Sequence, residues 1–177
     1  MCAAADRDRS ERKRDANLLT FCSWLEHSSW VTVISNTAWL YAIFEVLHYF
    51  SLFVLVGSIV VVDLGVLGAV GRRQTVAQLA EQLFPWMWAG FGIAVLSGFV
   101  MFATGAIAYF PDKVFRVKML VIMLAVIFAI GVERNVPKWA RSPQIPVGAK
   151  LVALISLLLW LGAILAGVEI SAISGLG

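Results

Sequence analysis

The stretch Ala38 to Asp63, AWLYAIFEVLHYFSLFVLVGSIVVVD, decides the fold. From Ala38 to Val62 the only acidic or basic side chains are Glu45 and His48. At 1.5 Å per residue the run covers about 37 Å as a helix, more than the hydrocarbon core of a bilayer, which is about 30 Å thick. In lipid every backbone polar group must be satisfied internally, and a run this long is too long for a barrel strand, so it is a membrane-spanning α-helix.

The whole chain supports that reading. Of its 177 residues, 60% are hydrophobic and only 14% charged, and the mean hydropathy is +0.86. A soluble domain carries roughly 25% charged residues, so too little polar surface remains here to coat a water-soluble globule. That excludes a disordered chain, a disulfide scaffold and a nucleic-acid-binding domain. The net charge of +3 reflects loop Lys and Arg residues of the kind that orient membrane proteins, and implies no anionic partner. Cys2 and Cys22 have no metal or disulfide spacing and read as free thiols.

Three further runs have spanning length. The second extends from about Leu83 to Phe110, with Pro85 expected in its first turn and Trp86, Trp88, Tyr109 and Phe110 at the two interfaces. The third, residues 115–133, carries Arg116 and Lys118 in its first turn, so Lys118 must snorkel or meet a buried partner. The fourth runs from Ala149 to Ile173, with Glu169 near its end. Residues 1–16 form a charged, disordered tail around DRDRSERKRD, and residues 17–177 form one membrane domain. Within it, residues 18–31 place Leu18, Phe21, Cys22 and Leu25 at helical spacing between Trp24 and Trp30. With Glu26 and His27 interrupting it, that segment predicts an interfacial amphipathic helix rather than a span or a cleaved signal. The expected fold is an all-α, four-helix antiparallel transmembrane bundle.

Four spans put both termini on one side. Arg72, Arg73, Arg134, Arg141, Lys138 and Lys150 lie in the first and third loops, against Lys113, Arg116 and Lys118 on the other face. The asymmetry predicts cytoplasmic first and third loops and periplasmic termini. The second span reads Gly90-x3-Ala94-x3-Gly98 and the fourth Ala163-x3-Gly167-x3-Ser171, small-residue stripes that let helices approach closely, within the chain or between copies of it.

Ionisable groups inside a membrane cost about 2.5 to 3.5 kcal/mol each at mid-helix, so each needs a partner or a purpose. Glu45 and His48, three residues apart, share a helix face about 10 and 15 Å into the first span. By parity Lys118 and Glu169 lie at similar depth, so Glu45, His48, Lys118 and Glu169 form a candidate buried polar cluster in the outer half. Asp63 and Glu133 read as interface charges at the other end. The cluster admits three roles: fixing the packing, relaying protons or holding a small solute, or presenting His48 to a haem b. For a haem, His27, the only other histidine, is the second ligand to recruit. One Glu-x-x-His motif is half of a di-metal site, so no metal centre is expected. There is no P-loop, no G-x-S-x-G and no H-E-x-x-H, which argues against an enzyme.

Several motifs together carry a resemblance: Trp24-Leu-Glu-His-Ser28, Glu45-x-x-His48, Gly57-Ser-Ile-Val-Val-Val-Asp63, Phe84-Pro-Trp86, Ser97-Gly98 and Phe115-Arg-x-Lys118. They resemble a family of small bacterial inner-membrane proteins catalogued as a domain of unknown function. More loosely, Ser97-Gly98 followed by Phe115-Arg-x-Lys118 is similar to the membrane domain of copper-resistance D proteins. The resemblance implies a bacterial inner-membrane location and singles out Glu45, His48 and Lys118, while the methionine clusters that would imply copper handling are missing. The reading is a non-enzymatic membrane protein, an accessory subunit or a handler of protons or a small solute. Its expected partners are the lipid bilayer and a second copy or a membrane complex.

Overall fold

Gly68 ends the first long helix, because at φ 82° it occupies the left-handed region that glycine enters at little cost. Its N–H and that of Ala69 bond back to Gly65 and Leu64, closing a Schellman turn. The computed structural model describes residues 16–69, 75–139 and 145–174, with side chains through Gly167. Residues 1–15 and the loop arginines Arg72, Arg73 and Arg141 lie outside the described residues.

In chain order the helices are α1 (16–26), α2 (Ser29–Asn36), α3 (Ala38–Leu67), α4 (Val76–Ala103), α5 (Ala106–Tyr109), α6 (Lys113–Trp139) and α7 (Val147–Ser174). Four of them, α3, α4, α6 and α7, are long and apolar enough to cross a membrane. No strand occurs among the described residues. The expected all-α four-span bundle is the observed one.

Several boundaries differ from the sequence reading. The second span ends at Ala103 rather than Phe110, and Ala106–Tyr109 form the separate short helix α5. The helix expected over 18–31 is two helices, because the Ser28 hydroxyl bonds the Leu25 carbonyl at 2.6 Å and competes with the backbone there. The second span starts at Val76 rather than Leu83: Thr75 and Gln78 form a capping box that satisfies two free N–H groups a full two turns earlier. Pro85 therefore stands inside α4 and deprives the Glu81 carbonyl of its helical partner. Both residues are exposed, so the loss falls on the outer surface of the bundle. At the far end α6 begins where Asp112 Oδ2 accepts the Phe115 N–H at 2.8 Å. It continues past Glu133 to Trp139.

The bundle packs in the cyclic order α4, α3, α7, α6, with α3 and α4 in the most extensive contact and α4 touching α6 only lightly. Its core has three tiers. At the α3 C-terminal end Val62, Val66, Ala80, Val136 and Ala153 meet; in the middle are Leu55, Ile59, Met87, Ala125 and Trp160; at the α4 C-terminal end Leu25, Val31 and Ala103 meet. The last tier docks α1 and α2 on the end of α4, and the Ile107 N–H donates to Glu26 Oε2 at 3.0 Å. Small side chains dominate the contacts, as expected where lipid supplies no hydrophobic drive and close backbone approach supplies the packing. Outward the surface is apolar: Phe53 is 84% exposed, Leu96 70% and Trp39 67%. Such a surface suits hydrocarbon and not water.

Candidate functional site

The site begins with a glycine. Gly90 brings α4 so near α3 that a Cβ there would lie 2.9 Å from the Ser51 carbonyl oxygen and 3.0 Å from the Leu55 nitrogen. Two turns further along α4, that approach places Ala94, Ser97 and Gly98 within reach of His48. The imidazole Nδ1 lies 3.0 Å from the Ala94 carbonyl oxygen and 3.1 Å from Ser97 Oγ.

A carbonyl only accepts, so Nδ1 carries the proton and donates to Ala94. The Ser97 hydroxyl gives its own hydrogen to the Ile93 carbonyl at 2.7 Å, which leaves its oxygen free to accept a second share from Nδ1. With Nδ1 committed, Nε2 is the nitrogen that can take up a proton or coordinate. Gly98 makes room for the ring, since a Cβ there would sit 2.9 Å from His48 Cε1. Ser51, one turn along α3, donates to the His48 carbonyl at 2.7 Å.

The remaining candidates make no hydrogen bond or ion pair with this histidine among the described residues. Lys118, half-buried on α6, lays its ammonium against α7: a Cβ on Gly167 would be 3.4 Å from Nζ. Glu45 is half-buried one turn before His48 on α3. Among the described residues Glu45 makes neither an ion pair with Lys118 nor a hydrogen bond with His48. Glu169 belongs to α7, two residues beyond Gly167, and its side chain lies outside the described residues. His27 is exposed at the end of α1, with Nδ1 2.8 Å from the Ser23 carbonyl. The structure thus fixes His48 by hydrogen bonds to α4 and joins neither Lys118 nor Glu45 to it by a hydrogen bond or ion pair among the described residues. No group of three metal-ligating side chains occurs among the described residues.

Sequence reading met Ser97 only within the Ser97-Gly98 motif and gave it no part in the site, since its contact with His48 depends on the facing helix, and it misplaced Asp63. That residue is 1% exposed, not an interface charge, because α3 runs on to Leu67 and turns it toward α7. Glu133 keeps an interfacial character: Trp88 Nε1 donates to its two carboxylate oxygens at 3.0 and 3.2 Å, tying α4 to α6.

No curated protein and no solved structure matches the chain. A family model does, over residues 21–172, from within α1 to near the end of α7, and so takes in His48. The chain belongs to that family, the Family of unknown function (DUF6644).

Proposed function

We propose that this is a bacterial inner-membrane protein, with both termini on the periplasmic side, that handles protons or a small polar solute at His48, alone or as the membrane subunit of a larger assembly. It performs no covalent chemistry on this reading. One observation carries it: His48 is pinned through Nδ1 to α4, so its second nitrogen is held ready in the outer half of the bundle. Membrane-embedded ionisable groups held this way mark ion and proton paths. Glu45 lies one turn before His48 on α3, and Lys118 stands on α6 against Gly167 of α7.

The test is proton movement across vesicles containing the purified protein, followed with an entrapped pH-sensitive dye after an external pH jump. Wild-type protein should collapse the gradient faster than empty vesicles, and His48→Ala, which stays folded, should fall back to the empty-vesicle rate. Equal rates for wild type and His48→Ala would sink the proton reading.

The same tautomer favours a second reading, haem b ligation by Nε2, because a ligating imidazole is normally oriented by a hydrogen bond from its other nitrogen. His27, which follows α1, has its Nδ1 bonded in the same way to the Ser23 carbonyl, and is the second histidine this reading would recruit. An absorption spectrum of the purified protein separates the two readings, since only the haem reading gives a Soret band.

A further inference from the structure

The inner half of the bundle holds a second polar locus, separate from His48 and fifteen residues further along α3. Asp63 on α3 and Ser156 on α7, respectively 1% and 0% exposed, stand beside one small, apolar-walled cavity. Asp63 Oδ2 and Ser156 Oγ each lack a hydrogen-bond partner. One turn along α7 on the same face, Trp160 is 3% exposed and its Nε1–H has no acceptor either. Asp63 Oδ2 and Ser156 Oγ, on two facing helices, are therefore unsatisfied beside the same cavity, while Trp160 Nε1 lies off its wall. Native interiors tolerate few such groups.

The rest of the lining is apolar. Ile59 and Val62 of α3, Phe84 and Met87 of α4, and Ala129 and Val132 of α6 complete the wall. No charged or titratable side chain faces Asp63 from α4, α6 or α7 among the described residues, and the nearest acid on α6, Glu133, is engaged by Trp88. A carboxylate without a counter-charge in such surroundings is far more costly than a neutral acid. A metal cation does not answer the need: hard divalent cations take about six or more oxygen ligands, and this wall offers two side chains.

We propose that Asp63 is a proton-binding site: its carboxyl is a neutral acid at neutral pH, with the Ser156 hydroxyl as the polar group it turns to. The acid donates to Ser156 Oγ, and no charge is left in the apolar tier. This assignment does not rest on the reading of His48.

Infrared spectra of the full-length protein in lipid at neutral pH test it. The expected result is the C=O stretch of a protonated carboxylic acid that shifts on deuteration, disappears in Asp63→Asn and changes frequency in Ser156→Ala. Absence of any protonated-carboxyl band in the wild type overturns the proposal, and so does a band that Ser156→Ala leaves unmoved. The second variant removes only a hydroxyl, so the test stands even if Asp63→Asn fails to fold.

Discussion

Gly90→Leu is expected to leave no folded protein in the membrane, whereas Gly92→Leu, two residues away on the same helix, is expected to be tolerated. The difference lies in what each side chain would meet. At Gly90 the obstacles are the backbone atoms of Ser51 and Leu55 at 2.9 and 3.0 Å, which cannot swing aside as the end of a side chain can. At Gly92 nothing lies within 4 Å, and the position faces outward. Even Gly90→Ala must push α3 and α4 apart, and overpacking of this kind costs about 1 to 3 kcal/mol. The gain in helix propensity on replacing glycine by alanine is about 1 kcal/mol, too small to offset the separation along the most extensive contact of the bundle. Gly92→Ala receives that gain without the clash. Thermal melting of detergent-solubilised protein should show opposite signs for the two alanine variants.

Gly98→Ala should cost a similar amount, for a reason that can be isolated. The new methyl group would sit 2.9 Å from His48 Cε1 and 3.3 Å from Nδ1, and so drive the imidazole off Ala94 and Ser97. Losing a hydrogen bond while its buried donor stays unsatisfied costs about 1 to 3 kcal/mol. In a His48→Ala background the obstacle is gone, and Gly98→Ala should become nearly silent. A double-mutant cycle on melting temperature measures this; the account requires strong coupling between positions 48 and 98, and simple additivity of the two changes would refute it.

The fold was legible because a bilayer allows few solutions. Once Ala38 to Val62 is read as a span, the other three apolar runs and their short connections dictate an antiparallel bundle. Helix ends were less legible where a strong local signal competed with a global one: Pro85 reads as a helix start, yet Thr75 and Gln78 cap α4 ten residues earlier. His48 stood out by its charge and depth, while Ser97 and the Ala94 carbonyl did not, since the rotation that brings them to His48 is set by Gly90 across the helix contact. Asp63 was misplaced because an acid at the close of an apolar run looks like an interface residue. A signal was present. Ser51, Leu55, Ser58, Ile59, Val62 and Val66, all buried, mark one face of α3 at helical spacing, and Asp63 lies on its margin. That face is the side of α3 turned to the bundle.

The state of His48 is the most direct test of the account, because the candidate site, the role of Gly98 and the proposed function all require its proton on Nδ1. The chain has only two histidines, so nitrogen NMR of protein grown with isotope-labelled histidine resolves both, with His27→Gln identifying the resonances of His48. The account predicts that Nδ1 of His48 is protonated and strongly hydrogen-bonded, with Nε2 the nitrogen that responds to pH or to an added ligand. A neutral His48 with its proton on Nε2 and a bare Nδ1 would contradict it.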